Sequence, residues 1–257
     1  MNRLIGIILI TLATLAHADP YAVYKANPWS GKPAPTIIIA HGCDGLGRNP
    51  HYGNEARKFN AWGWNAIIVD SFGPRGVSTD CELPKKVKYG DRKDDVLATA
   101  EWAFEQSWHK GPMAVVSYSH GGTTALHVAN DPGNDLIKVA LAYYPTCGKI
   151  GLEGDPYRFA NPRVPTLVFH GAEDQWTRGG PCQVTLGERS NRPELYTLSM
   201  YPGATHAFDM PFPDRYSHGH PMRYCADCTR DADTKIHKAL NESITNPIPA
   251  NPRVDKR

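Results

Sequence analysis

Met113-Ala-Val-Val-Ser-Tyr-Ser-His-Gly-Gly122 decides how this chain is read. Its first half is an apolar, partly β-branched run of the kind buried on both faces of a parallel sheet. The run stops at serines followed by two glycines, which allow a sharp turn from strand into helix. A serine at such a turn stands at the tip of its strand, and Ser119 is the candidate nucleophile. Packing sets the register, because the positions two before and two after the displayed residue come close together and must be small. Around Ser119 these are Ser117 and Gly121, whereas Ser117 would have the branched Val115 beside it. The pattern departs from Gly-x-Ser-x-Gly in having Ser117 for the first glycine. A serine that only caps the following helix is the alternative.

A hydroxyl is a poor nucleophile until a base removes its proton and amides hold the oxyanion, so partners are needed elsewhere. Asp174 lies in Phe169-His-Gly-Ala-Glu-Asp-Gln-Trp176, where a carboxylate just past a strand can fix the tautomer of a histidine. Glu173 beside it is expected to point the wrong way, and Asp70, at the end of another strand, is the runner-up. Among eleven histidines, only His206, in Tyr201-Pro-Gly-Ala-Thr-His-Ala-Phe208, follows the last strand. His218 and His220 are its rivals; His127 and His109 are placed in helices, His17 is lost with the leader, and His170 is expected to support the Asp174 loop. The oxyanion donors expected are the backbone N–H groups of His120, at a helix start, and of Cys43, in His41-Gly-Cys-Asp-Gly45. The His41-Gly42 pair lets that loop approach the site.

Apolar runs over 36–40, 65–69, 113–118, 137–143, 164–169 and 195–201 alternate with helical patterns. This alternation predicts an α/β fold, a mostly parallel central sheet with helices on both faces. Over 92–108, Val96, Leu97, Ala100, Phe104 and Trp108 share one face of a helix. Further helices are expected near 54–62, 121–130 and 181–189, and Asp231 or Asp233 could cap a last one containing Ile236, Ala239 and Leu240. Every candidate residue falls in a loop after a strand, where open parallel sheets place their sites. The chain order Ser, Asp, His is that of the α/β-hydrolase fold.

Arg3, the apolar stretch from Leu4 to Leu15 and Ala16-His-Ala18 read as a signal peptide over 1–18. The stretch falls short of the roughly 20 residues a membrane span needs, so an exported protein, periplasmic or extracellular, is expected without a span. Residues 19–245 are read as a single domain. Asn246-Pro-Ile-Pro-Ala-Asn-Pro252 opens a flexible tail over 246–257. A net charge of +2, with basic residues scattered among acids, gives no nucleic-acid footprint. Six cysteines in an exported chain favour disulfides. Cys43 and Cys81 lie in loops after strands expected to be neighbours, and Cys147 and Cys182 do likewise, which leaves Cys225 with Cys228. Zinc held by Cys225, Cys228, His218 and His220 is the rival use of the last pair.

With these residues placed, the chain resembles the dienelactone hydrolase family of α/β-hydrolases over most of its length. The resemblance rests on His41 to Gly45, Asp70-Ser-Phe-Gly-Pro-Arg-Gly76, the Ser119 turn, Tyr144-Pro-Thr-Cys147, and His170 to Trp176 with His206-Ala-Phe208. Founding members carry cysteine where Ser119 stands, so lactone specificity is not carried over. The resemblance implies a hydrolase of small-molecule esters or lactones that needs no cofactor or metal. Tyr118, Trp176, Phe72 and Phe208 are expected to line its pocket, and Arg75 could orient a substrate carboxylate or anchor its own turn. A peptidase of the same fold and a non-catalytic small-molecule binder are the alternatives.

Overall fold

The computed structural model describes residues 22–24, 31–47, 50–82, 85–148 and 159–246. The expected leader over 1–18 and the tail after Asn246 lie outside these residues. Strand β1 is Ala22–Tyr24, β2 Ala34–Ala40, β3 Asn65–Val69, β4 His109–Tyr118, β5 Ile137–Tyr143, β6 Thr166–Gly171 and β7 Tyr196–Tyr201. They form one sheet in the order β1-β3-β2-β4-β5-β6-β7, parallel except for β1, which pairs antiparallel with β3. Helices are α1 His51–Ala61, α2 Tyr89–Phe104, α3 His120–Asn130 and α5 Ala226–Thr245, with a short α4, Gly180–Cys182, that widens into π-helical turns over Gln183–Glu188. A two-stranded hairpin, β8 Arg215–Ser217 and β9 His220–Met222, stands apart from the sheet.

Alternation along the strands explains the layers, since successive side chains leave a sheet on opposite faces. Ile37 and Ile39 of β2 pack with Ala56 and Phe59 of α1 and with Ala232, Ile236 and Leu240 of α5. Ile38 and Ala40 face Val96, Ala100 and Ala103 of α2 and Ala125 and Leu126 of α3. Both faces are therefore covered, which is why the strands read as unbroken apolar runs. The chain passes from β2 to β3 on one side and returns to β4 on the other. The crevice between the carboxyl ends of β2 and β4 is thus the switch point where such sheets bind ligands.

Several expected boundaries shift for local reasons. Helix α1 ends where Gly63, at φ +87°, lets Trp64 N–H turn back to Phe59 O. Helix α2 stops at Phe104, which is 56% exposed, because the chain turns there to enter β4 at His109. Trp108 therefore lies outside the helix. Helix α5 begins at Ala226, earlier than a cap at Asp231 or Asp233 would allow, and Cys225 Sγ accepts the N–H of Cys228 instead. Disulfides join Cys43 to Cys81, Cys147 to Cys182 and Cys225 to Cys228. Among the described residues no helix is long and apolar enough to cross a membrane.

Candidate active site

Ser119 alone makes the turn between β4 and α3. Its φ of 54° and ψ of −115° are values that a residue with a β-carbon rarely adopts. The conformation is held from both sides: Ser119 N–H donates to Tyr143 O at 2.9 Å and Thr123 N–H donates to Ser119 O at 3.1 Å. A β-carbon on Gly121 would stand 2.5 Å from the carbonyl oxygens of Ala40 and His41, and one on Gly122 2.5 Å from Tyr143 O. The small residue after the serine is therefore required by the end of β2, a neighbour that the local sequence pattern does not reveal.

His206, in the loop after β7, bridges Ser119 and Asp174. Its Nε2 lies 3.0 Å from Ser119 Oγ and its Nδ1 2.8 Å from Asp174 Oδ2. Asp174 Oδ1 accepts the N–H groups of Trp176 and Thr177 at 2.8 and 3.0 Å, and Oδ2 also accepts the Thr177 hydroxyl at 2.8 Å. Burial raises the pKa of this carboxyl, but facing His206 and these donors outweigh it and hold the group well below the usual carboxylate range. The site thus keeps an anion beside the imidazole, which favours a proton on Nδ1 and leaves Nε2 free to accept from the serine. Glu173 is exposed, and Asp70 is engaged by the N–H groups of Phe72 and Gly73 at 2.9 Å. His170 is buried against the carbonyls of Gly171 and Pro145, at the base of the Asp174 loop. His218 lines the cavity, and both it and His220 pack on the Trp176 ring.

The loop after β2 is tightly held. Gly42 N–H donates to Tyr52 Oη at 2.7 Å, Gly42 O accepts from His41 Nδ1 at 2.7 Å, and Cys43 O accepts the N–H of Asp80 at 2.7 Å. The Cys43–Cys81 disulfide fastens the same loop to the segment after β3. Burial, and then the charge of Arg92, push the His41 imidazole down to about 3, so it is neutral.

Ser119, His206 and Cys43 open onto a cavity of about 130 Å³. Trp176 lines it, and Tyr118 contributes to the wall while its hydroxyl turns away to donate to Glu55 at 2.6 Å. Phe72 and Phe208 do not line it. Phe72 is buried against His41, ring centroids 4.5 Å apart, and Phe208 packs into the core on Tyr144 and Tyr201. Arg75 is turned to Asp95, which takes both guanidinium nitrogens at 2.7 and 2.9 Å, and to Ser71 O, so it anchors its turn rather than the cavity. Three contributions go beyond the roles expected from the sequence. The Tyr144 ring lies 4.6 Å from that of His206 and its hydroxyl donates to buried Asp209 at 2.8 Å. Thr177 braces Asp174, and the β8–β9 hairpin supplies Arg215, His218 and Met222 to the wall. Tyr144 did carry a signal, its place directly after β5, whereas the hairpin has no hydrophobic periodicity to announce it.

A parallel sheet with a strained serine turn at its switch point, a histidine after the last strand and an acid after the one before defines an α/β-hydrolase fold. The chain belongs to the dienelactone hydrolase family, whose model matches residues 21–243. No curated protein sequence matches it closely. Among solved structures, a protein from Klebsiella pneumoniae assigned as a dienelactone hydrolase is 18% identical, with a TM-score of 0.69 over 84% of this chain and 90% of that one. A dienelactone hydrolase-like promiscuous phosphotriesterase from metagenomic libraries is 20% identical, with a TM-score of 0.68 over 84% and 90%. Est1E from Butyrivibrio proteoclasticus is 16% identical, with a TM-score of 0.60 over 87% and 93%. At these identities the likeness is one of fold.

Proposed function

We propose that the protein is an exported serine hydrolase that cleaves small carboxylic esters or lactones through an acyl-enzyme. The observation that carries this reading is the position of His206, within hydrogen-bond distance of Ser119 Oγ on one ring nitrogen and of Asp174 on the other. His206 Nε2 takes the hydroxyl proton as Ser119 Oγ attacks the carbonyl carbon, and the backbone N–H groups of Cys43 and His120 receive the oxyanion. The imidazolium, steadied by Asp174, returns the proton to the leaving alcohol, and water then repeats the sequence to release the acid. The family supports a hydrolase. The three disulfides support export to an oxidising compartment.

The cavity volume of about 130 Å³ suits a short acyl chain or a single ring, since an apolar cavity of about 150 Å³ holds benzene. Labelling by a fluorophosphonate probe, abolished in Ser119→Ala, tests the nucleophile; a folded protein that resists labelling would point to a binder instead. A panel of aryl esters of graded acyl length beside matched amides tests the bond cleaved, and amide turnover comparable to ester turnover would favour a peptidase.

A further inference from the structure

We infer that Arg92 is a positioning residue that braces the two oxyanion-binding amides against each other; the inference rests on the serine hydrolase reading above. Arg92 points from α2 into the interior and is 0% exposed. Burying a guanidinium is unfavourable unless a carboxylate meets it. Among the described residues none forms an ion pair with Arg92, whose hydrogen bonds go to neutral groups at the site. Nη2 donates to His41 O at 2.5 Å and Nη1 to His120 Nδ1 at 2.6 Å, while the ring of Phe72 covers the guanidinium with its centroid 5.0 Å from Cζ. Asp95 and Asp80 act on this buried cation through their charge alone, without an ion pair, so its directed contacts are those to His41 and His120.

Each acceptor controls one amide. His41 precedes Gly42 and Cys43; its Nδ1–H holds Gly42 O at 2.7 Å and its Nε2 accepts Ser71 N–H at 3.3 Å. A trans peptide is planar with its C=O and N–H opposed, so fixing Gly42 O fixes the direction of the Cys43 N–H. His120 is the first residue of α3, and its own N–H is the second proposed donor. Accepting from Arg92 at Nδ1 requires a neutral ring, and burial together with the Arg92 charge holds the His120 pKa far below its ordinary value. Arg92 itself is lowered, chiefly by burial, to about 10 and stays charged at neutral pH. Only a planar fork can reach acceptors on the loop after β2 and on the start of α3 at once.

The test uses Arg92→Lys and Arg92→Met in the oxidised protein, with kcat and KM for an aryl ester expressed per titrated active site. Inhibition by an aryl boronic acid, which forms a tetrahedral adduct on the serine, is measured in parallel. A lost oxyanion donor costs about 10²–10³ in kcat, so loosened donors should lower kcat by about 10- to 100-fold. KM should hold within about twofold, and boronate affinity should fall in step with kcat. Lysine keeps the charge but not the fork, so it should recover only part of the loss. Folded variants with wild-type kcat and boronate affinity, whatever their melting temperature, would overturn the inference. If Arg92→Met does not fold, Arg92→Lys decides alone. A wild-type protein that neither hydrolyses esters nor binds the boronate would overturn the hydrolase reading, and this inference with it.

Discussion

Asp174 Oδ2 sits 2.8 Å from Nδ1 of His206, although 32 positions separate them in the chain. The other hydrogen bonds to this carboxylate come from Trp176 and Thr177 on its own loop, so the anion is oriented before the histidine arrives. Asp174→Asn should leave the geometry standing while an amide donor turned toward Nδ1 favours the wrong tautomer. We expect kcat to fall by about 10⁴ with KM little changed; a loss below tenfold in steady-state ester hydrolysis would remove Asp174 from the relay.

Stability should decline on the acid side of neutrality. His41, His120 and His170 all have lowered pKa values, burial being the largest cause of each. Unfolded imidazole takes its proton near pH 6.5, so below that the unfolded chain binds more protons than the folded one. Their contribution is complete above about pH 6.5 and is lost as pH falls toward the folded values, by up to about 2 kcal/mol per group at pH 5. Asp174, held low instead, adds a further loss below about pH 4. Urea unfolding curves at pH 7.5 and pH 5 should differ accordingly, and coincident midpoints would contradict this account.

Gly121→Ala should be disruptive and Gly187→Ala should not. A β-carbon at Gly121 meets two carbonyl oxygens at 2.5 Å, while at Gly187 nothing lies within 4 Å. The first should cost about 1–3 kcal/mol and depress activity by displacing the serine turn. The second should be neutral or stabilising by up to about 1 kcal/mol. Thermal melts of the two variants compare them directly.

Cys43→Ser with Cys81→Ser should weaken the fold more than loss of Cys225–Cys228. The first bridge spans 38 positions and the last only 3. Loop-closure entropy assigns the longer one about 4 kcal/mol. Denaturant titration under oxidising conditions would show the ranking, and equal effects of the two removals would contradict it.

Trp176→Leu should alter the ratio of kcat/KM values between short-acyl and aryl esters, because its indole forms cavity wall. Phe208→Leu should lower the melting temperature and leave that ratio in place, since the ring is wholly in the core. A selectivity change in Phe208→Leu without destabilisation would reverse the two assignments.

The sheet is readable because burial on both faces leaves a continuous apolar signal: the runs over 65–69 and 137–143 coincide with β3 and β5, those for β2, β4, β6 and β7 fall within a few positions, and β1 has no run to announce it. The loop residues were readable only by where they fall after strands. That reasoning puts Ser119, His206 and Asp174 at one end of the sheet, yet it cannot tell which way a loop side chain turns. Phe72 and Phe208 stand within the motif stretches, which points to the pocket, but both rotate inward. Arg92 sits at a core position of an amphipathic helix, where a charged residue looks like an error in the pattern until its acceptors on other elements are seen. The hairpin of Arg215–Ser217 and His220–Met222 is held through contacts such as His220 on Trp176, with no internal core to mark it.

That hairpin divides the cavity into two building materials. One wall is laid down by the serine turn and the end of β2, where glycines abut carbonyl oxygens and tolerate no exchange. Another part of the wall is a short excursion outside the sheet, contributing Arg215, His218 and Met222 while the sheet's strand order closes without it. Diversification of ligand preference, by nature or in a library, therefore has an inexpensive address in eight consecutive codons, leaving the chemical machinery and its scaffold unedited.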